Sequence, residues 1–464
     1  MLKLQSPPCS TYIRGIVSQV LCSTGPARAP SPDLHSQPPG QIQPGHHHGS
    51  RQGTITGPPP SATSTYLAKA PSLDLQASIP GPPTRAPSLD LHHPQPPHPA
   101  LAPSLDLHPQ PGRVTMPLKP YTRDKDSSSL LRWDEVPDDF VECFILSGYR
   151  RLHLTAQECL ASIFQPTNET LNFWTHFIPL VLFLSKFYQV LFLAGELPFH
   201  HPALLPLWCY ASGVLLTFAM SCTAHVFSCR SLRLRAAFFF LDYACISYYG
   251  FASTVAYTYY LLPRLDLLDP TVMTPYLHSL GWHRVDYSLL LGVYGELVLP
   301  VAFVLAVTCT VACCKSRSED CSYPFAIRTF VFAMPLSMAC PVMIESLLFD
   351  LRMKNPTLFV HFYRRYFWLL VAAFFNVSKI PERIHPGLFD IIGHSHQLFH
   401  IFTFLSIYDQ MHYVEEGLEH FLKAPATYHL PTFSGTVGYM LLLTLCLGLV
   451  VRTYLKGLTN IKQN

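Results

Sequence analysis

Two pairs of polar side chains lie four residues apart within long apolar stretches of this chain. Ser221 and His225 form one pair, and His396 and His400 form the other. A spacing of four places both members of a pair on one face of a helix. Imidazole nitrogen is a typical zinc ligand, and three histidines leave a fourth coordination position open. The two pairs therefore predict a zinc site built from His225, His396 and His400.

A carboxylate, Asp242, lies in a third apolar stretch, about two turns from its start. Ionisable side chains in hydrocarbon are costly unless they are paired or functional, so such residues indicate where function lies. The alternative is that each histidine makes a separate hydrogen bond between helices. Two i,i+4 pairs and an acid at a matching depth favour a zinc-like constellation with a position left for water.

Long apolar runs must form the helices that position these side chains. Hydrophobic residues make up 49% of the 464 residues and charged residues only 13%, against about 25% charged residues in a soluble domain. A membrane-spanning helix needs about 20 mostly apolar residues, because backbone polar groups find no water in hydrocarbon. Eight runs qualify: 172–194, 203–227, 236–261, 287–314, 325–348, 359–379, 396–414 and 433–451. We therefore predict an all-α polytopic membrane helix bundle.

The N-terminal quarter of the chain has a different composition. Of the 43 prolines, 25 lie in residues 1–120, together with a repeated Ala-Pro-Ser-Leu-Asp-Leu unit. Such a segment buries too little apolar surface to offset the entropy of ordering it, so residues 1–125 are predicted to be a disordered tail. We expect a cytosolic juxtamembrane segment at 126–171, the transmembrane domain at 172–452 and a short cytosolic tail at 453–464.

Lysine and arginine in the connecting segments predict the orientation. With the N-terminus in the cytosol, fourteen basic residues flank the inner ends of the runs and seven, including Arg365, flank the outer ends. The second run then ends at the face where the third and seventh begin, so His225, Asp242 and His396 share a depth in the inner leaflet. A net charge of only +3, without a basic patch, excludes a nucleic-acid partner.

Four other polar residues are weaker candidates. His176 and Lys186 in the first run and Glu296 in the fourth either line a polar cavity or snorkel and form ion pairs, and pairing is favoured for Lys186. His394 points off the face shared by the two histidines that follow it, so it is left out of the metal set.

Several ordered motifs resemble the progestin and adipoQ receptor family, over residues 133 to about 452. They are Asn168-Glu169-Thr170-Leu171-Asn172-Phe173-Trp174-Thr175-His176, the SxxxH from Ser221 to His225, Leu241-Asp242-Tyr243, and Ile380-Pro381-Glu382-Arg383 with Gly393-His394-Ser395-His396-Gln397-Leu398-Phe399-His400. The resemblance implies a seven-helix core with a cytosolic N-terminus, and zinc bound by His225, His396 and His400. It also implies that Asp242 holds or orients the metal-bound water. The last run fits the extra eighth helix of the progestin branch.

The resemblance further implies a ligand class and a signalling role. Progestins are the implied ligands, at the plasma membrane, with non-genomic, G-protein-linked signalling. A steroid or other lipid would bind in a helix-lined cavity and shift the population between two packings. Aromatic walls that would suit a steroid include Phe238, Phe239, Phe240, Tyr248 and Tyr249.

Two alternatives to the receptor remain. The SxxxH motif is also similar to that of alkaline ceramidases, which implies a zinc-dependent lipid amide hydrolase with Asp242 as proton acceptor and Ser221 as oxyanion donor. The other alternative is a purely structural zinc ion that joins the second, third and seventh helices. The receptor is the favoured hypothesis.

Overall fold

A computed structural model describes residues 130–193, 197–318, 324–333, 338–423 and 430–461. The predicted N-terminal tail lies outside the described residues. Of the part that is described, 78% is helical and no strand occurs. The all-α prediction is therefore confirmed.

Twelve α-helices follow one another in the described ranges. They are α1 (Ala156–Ala161), α2 (Thr170–Tyr188), α3 (Leu205–Phe227), α4 (Leu232–Tyr260), α5 (Pro270–Ser279), α6 (Tyr287–Ser318), α7 (Pro324–Ala333), α8 (Cys340–Leu348), α9 (Leu351–Lys354), α10 (Pro356–Ser378), α11 (Ser395–Lys423) and α12 (Tyr439–Ile461). One π-helical turn, Gln189–Leu193, extends α2, and another, Ser434–Gly438, leads into α12.

Five of these helical segments are long and apolar enough to cross a membrane. They are Thr170–Leu193, Pro202–Phe227, Tyr287–Arg317, Pro356–Ser378 and Ser434–Leu458. Helices α4 and α11 have 29 residues each but are richer in polar residues, those of the site among them. The protein is therefore a multi-pass membrane protein.

The described residues of the fifth run, 325–348, include two helical segments, α7 and α8, of 10 and 9 residues, and residues 334–337 between them lie outside the described ranges. Pro341 occupies the first turn of α8, where proline starts a helix rather than continuing one. At the other end of the chain, α12 extends to Ile461, so part of the tail predicted at 453–464 is helical, and the membrane boundary at 452 stays a prediction.

The outward faces of the helices carry large apolar side chains. Leu289 on α6, Leu370 on α10 and Leu445 on α12 are all more than 60% exposed. Apolar surface on this scale would be unfavourable in water, whereas it contacts lipid tails without cost. The exposed side chains thus agree with the membrane assignment.

Close helix pairs form the centre of the bundle. Helix α3 packs along α4, α10 packs along α11, and α2 contacts both α3 and α11. Gly417 on α11 lies so near α4 that a Cβ atom there would be 2.8 Å from the carbonyl oxygen of Tyr260. Small residues allow this kind of approach between membrane helices.

Side chains fix the starting points of two of the helices that carry polar site residues, α4 and α11. Ser231 caps α4 by accepting a hydrogen bond of 3.2 Å from the backbone N–H of Leu234. At the start of α11, the backbone N–H of Ser395 donates to Oε2 of the buried Glu382 at 2.7 Å. A carboxylate at a helix N-terminus is favourable because it satisfies free N–H groups and opposes the positive end of the helix dipole.

Candidate metal centre and its cavity

Three histidines meet at one end of the bundle. His225 lies two residues before the end of α3, and His396 and His400 lie in the first turns of α11. One ring nitrogen of each lies within 4.8 Å of the others, and the Nε2 atoms of His225 and His396 are 3.4 Å apart. The convergence expected from the two i,i+4 pairs is thus present.

Polar groups on α2 and just before it contact Nδ1 of two of these histidine rings. Nδ1 of His225 lies 2.7 Å from Oε2 of Glu169, which also accepts a hydrogen bond from the Asn172 amide. Nδ1 of His400 lies 3.2 Å from the Asn172 carbonyl oxygen and 3.1 Å from the Thr175 hydroxyl. With a proton on each Nδ1, the lone pair of each Nε2 is left for the centre of the cluster.

The donor set of this cluster fits a zinc ion. Three buried or half-buried imidazoles at one point are a typical set of nitrogen ligands, and they leave one tetrahedral position open. Asp242 lines the same cavity, and its Oδ1 is buried with no hydrogen-bond partner in the described part of the chain. Asp242 does not belong to the group of mutually close ligand atoms, so its indirect role at a metal stays a prediction.

Ser221 and His176 form a polar pair beside the cluster. Oγ of Ser221 lies 2.7 Å from Nδ1 of His176, and the His176 ring stacks on that of His400 with 3.6 Å between centroids. Both residues are buried and line the cavity. Of the two roles considered for His176, the structure supports the cavity-lining one.

A cavity of about 740 Å³ begins at the histidines and continues between α4, α10 and α11. Such a volume is typical of sites for drug-sized ligands. Of the aromatic residues expected in its walls, Phe239, Phe240 and Tyr249 line it, whereas Phe238 and Tyr248 do not. Arg365 lines its other end.

Residues 164–411 match the haemolysin-III-related family. The chain belongs to this family of progestin and adipoQ receptors. It is 35% identical over 315 residues to membrane progestin receptor gamma-A of Danio rerio, and the aligned region covers 66% of this chain and 87% of the relative. It is 34% identical over 301 residues to membrane progestin receptor delta of Homo sapiens, with coverage of 61% and 77%. Against membrane progestin receptor alpha of Homo sapiens it is 30% identical over 335 residues, with coverage of 68% and 87%.

The weaker polar candidates take ordinary structural positions in this member of the progestin and adipoQ receptor family. Lys186 forms an ion pair of 2.8 Å with Glu415, as was favoured. Glu296 is exposed on α6. Nε2 of His394 lies 3.1 Å from the Asn168 carbonyl oxygen, and His394 lies outside the metal group.

No sequence pattern singled out the residues around the histidines. Glu169 and Asn172 belong to a family motif, although a charged residue at the start of a span is itself a signal. Arg150 is one of the fourteen basic residues predicted at the inner ends of the runs. It is buried, and its guanidinium donates to the backbone oxygens of His225 at 2.6 Å and Val226 at 2.7 Å. In this family member, Arg150 therefore fixes the end of the helix that carries His225.

Proposed function

We propose that this protein is a plasma-membrane progestin receptor with a zinc site in the inner half of the bilayer. One observation carries the proposal: a cavity of about 740 Å³ joins the three histidines to an aromatic chamber within the membrane helices. A steroid is an apolar, rigid ligand of the size that such cavities take. Relatives named membrane progestin receptors support the ligand class.

The helices that form the cavity also reach the cytosolic end of the proposed topology. Steroid binding would favour one packing of α4, α10 and α11 over another, since a ligand shifts an equilibrium by its differential affinity for the two states. Arg150 connects the end of α3 to the segment before α1. A change in packing would therefore reach cytosolic residues, where we propose G-protein-linked signalling.

His225, His396 and His400 would hold the zinc ion, and Glu169, Asn172 and Thr175 would orient two of their rings. Bound there, zinc would join α3 to α11 and act as a Lewis acid toward an oxygen at the open position. The residues around the ligands set the ring orientation and exclude water from the cluster.

Steroid binding is tested with radiolabelled progesterone on membranes of cells that lack other progestin receptors. We expect saturable binding to cells that express the protein and none to cells with empty vector. Absence of saturable binding at equal surface expression would reject the receptor proposal.

The zinc site is tested by metal analysis of the detergent-purified protein. Wild type should hold one zinc ion per chain, and His396→Ala should lose it. His394→Gln is the matched control, because His394 is a buried neighbour outside the metal group, and this variant should keep its zinc. Wild type purified without zinc would contradict the site.

A lipid amide hydrolase is the second candidate, and the Ser221–His176 pair of 2.7 Å together with the unpartnered Asp242 Oδ1 favours it. Asp242 would accept a proton and the Ser221 hydroxyl would donate to a developing oxyanion. Purified wild type and His400→Ala are each incubated with ceramide. Zinc-dependent release of fatty acid by wild type alone would favour the hydrolase, and no release by wild type would exclude it for this substrate.

We also propose a cytosolic N-terminus, which the distribution of basic residues supports. An epitope at the N-terminus should be accessible to antibody only after the plasma membrane is permeabilised. Labelling of intact cells would reverse the topology.

A further inference from the structure

The end of the cavity opposite the histidines contains a buried arginine. Arg365 lies in the middle of α10, is 3% exposed and lines the cavity. Its neighbour Arg364 has a side chain that is 52% exposed and lies 3.5 Å from Asp409. Neighbouring residues on a helix point about 100° apart, so one arginine faces outward and the other faces the cavity.

Phenols and an amide, rather than a carboxylate, surround Arg365. Its Nη1 donates to the hydroxyl of Tyr413 at 2.7 Å and to that of Tyr257. Gln410 donates to the Tyr257 hydroxyl at 2.6 Å and accepts a hydrogen bond from Tyr249. We call Arg365, Tyr249, Tyr257, Gln410 and Tyr413 the Arg365 cluster.

The carboxylate beside Arg364 has partners other than Arg365. Asp409 lies 2.7 Å from Nδ1 of His361, accepts a hydrogen bond of 2.9 Å from Trp368 and pairs with Arg364. Among the described residues, Arg365 has no carboxylate within ion-pair distance. A buried guanidinium without a counter-charge is costly inside a membrane, which is why such residues indicate a functional site.

Donor capacity remains unused at Arg365 and along the cavity wall between it and the histidines. Among the described residues, Nε of Arg365 is buried without a hydrogen-bond partner, and so are the hydroxyls of Thr403 and Ser406 on α11. All three residues line the cavity. Buried polar atoms in native proteins are nearly always hydrogen-bonded, so this group fits a ligand that brings an acceptor oxygen.

We propose that the Arg365 cluster is the subsite of the cavity that binds an acceptor oxygen: the guanidinium donates a hydrogen bond to a ketone oxygen of a bound steroid. This inference rests on the proposed function, and it names the group that positions the ligand at the end far from the histidines. On α11 the cavity is lined from His396 to Ile407, eleven residues apart, which corresponds to about 16 Å along the helix. An elongated, rigid ligand with an oxygen at its end suits that distance.

The test measures progesterone affinity in wild type, Arg365→Met, Arg365→Lys and the control Arg364→Met. We expect Arg365→Met to weaken binding about tenfold or more, the range for a hydrogen bond to a charged group. Arg365→Lys should weaken it less, because the charge remains while the planar donor group is lost. Arg364→Met should bind within about twofold of wild type, since Arg364 does not line the cavity.

Ligand analogues separate a contact from a structural role. Progesterone analogues that lack the 3-oxygen or the 20-oxygen are compared with progesterone on wild type and on both Arg365 variants. Removal of one of the two oxygens should weaken binding to wild type about tenfold and leave the affinity of Arg365→Met almost unchanged. Changing the residue and the ligand separately and together isolates the interaction between them. If Arg365→Met does not fold, the same cycle with Arg365→Lys should show a reduced oxygen effect.

The two proposals fail differently. Equal affinities in wild type and the Arg365 variants, or an oxygen effect that is unchanged by the substitutions, would overturn the subsite and leave the receptor standing. No progesterone binding to wild type would overturn the proposed function and the subsite together.

Discussion

Nδ1 of His225 and Oε2 of Glu169 are 2.7 Å apart, and both side chains are buried. A carboxylate at this distance fixes the ring orientation and the tautomer of a metal-binding histidine. We therefore expect Glu169→Gln to bind zinc about 10- to 100-fold more weakly than wild type. Competition with a zinc-chelating dye on detergent-purified protein measures the change.

Glu419→Gln serves as the control for this substitution. Glu419 has a side chain that is 68% exposed at the far end of α11, so zinc affinity should stay at the wild-type value. If Glu169→Gln and Glu419→Gln bound zinc equally well, Glu169 would have no role in orienting the ring.

Removal of the metal should lower thermal stability. A ligand that binds only the folded state stabilises it by mass action, and a zinc ion between α3 and α11 would hold two helices that are distant in sequence. We expect a chelator to lower the unfolding temperature of wild type by several degrees, and added zinc, but not magnesium, to restore it. His400→Ala should be less stable from the start and insensitive to the chelator; a chelator effect of wild-type size in this variant would contradict the site.

Gly417→Ala should destabilise the bundle where α11 meets α4. The new Cβ would lie 2.8 Å from the carbonyl oxygen of Tyr260, and a backbone atom cannot move aside as a side chain can. Overpacking of this kind costs about 1–3 kcal/mol. Gly448→Ala on α12 is the control, because a Cβ there meets nothing within 4 Å. Thermal unfolding of both variants should show a lower midpoint for Gly417→Ala only.

Lys379 should make stability depend on pH. It directly follows α10, and burial lowers the pKa of its amine from 10.5 to about 8. Between these two values the unfolded chain binds a proton that the folded protein does not, so this residue's contribution to stability rises with pH from about 8 to 10.5.

The Lys379→Met variant should lack that contribution. Unfolding midpoints of wild type and Lys379→Met are compared from pH 7 to 10, and the difference between them should shift in favour of wild type as the pH rises. The exposed Lys423, with a side chain that is 72% exposed, provides the control Lys423→Met. A pH-independent difference for Lys379→Met would show that the amine titrates normally.

Hydropathy and spacing were sufficient to predict much of the fold. Long apolar runs predicted the membrane helices because hydrocarbon requires each spanning segment to satisfy its own backbone. Within the run at 325–348, α8 begins at Cys340 with Pro341 in its first turn. An average of hydropathy over a window does not register such a helix start.

The convergence of the three histidines was predictable, because i,i+4 spacing fixes their helix faces and the alternation of helix direction brings the end of α3 to the start of α11. The residues around them were not, because Glu169, Asn172 and Thr175 act through contacts between helices that no local pattern encodes. Arg365 was misassigned as an outer flanking charge. The basic-residue count treats it like Arg364, although only the structure distinguishes the buried guanidinium from the exposed one.

Helix α11 runs unbroken from Ser395 to Lys423. It carries His396 and His400 in its first turns and, farther along, Gln410 and Tyr413 of the Arg365 cluster, so one continuous helix links the histidines to that cluster. A bound molecule that displaced this helix at one end would move the other end with it, without a relay of side-chain movements between them. Metal occupancy and steroid affinity would then be thermodynamically linked, and each would alter the other by the same factor.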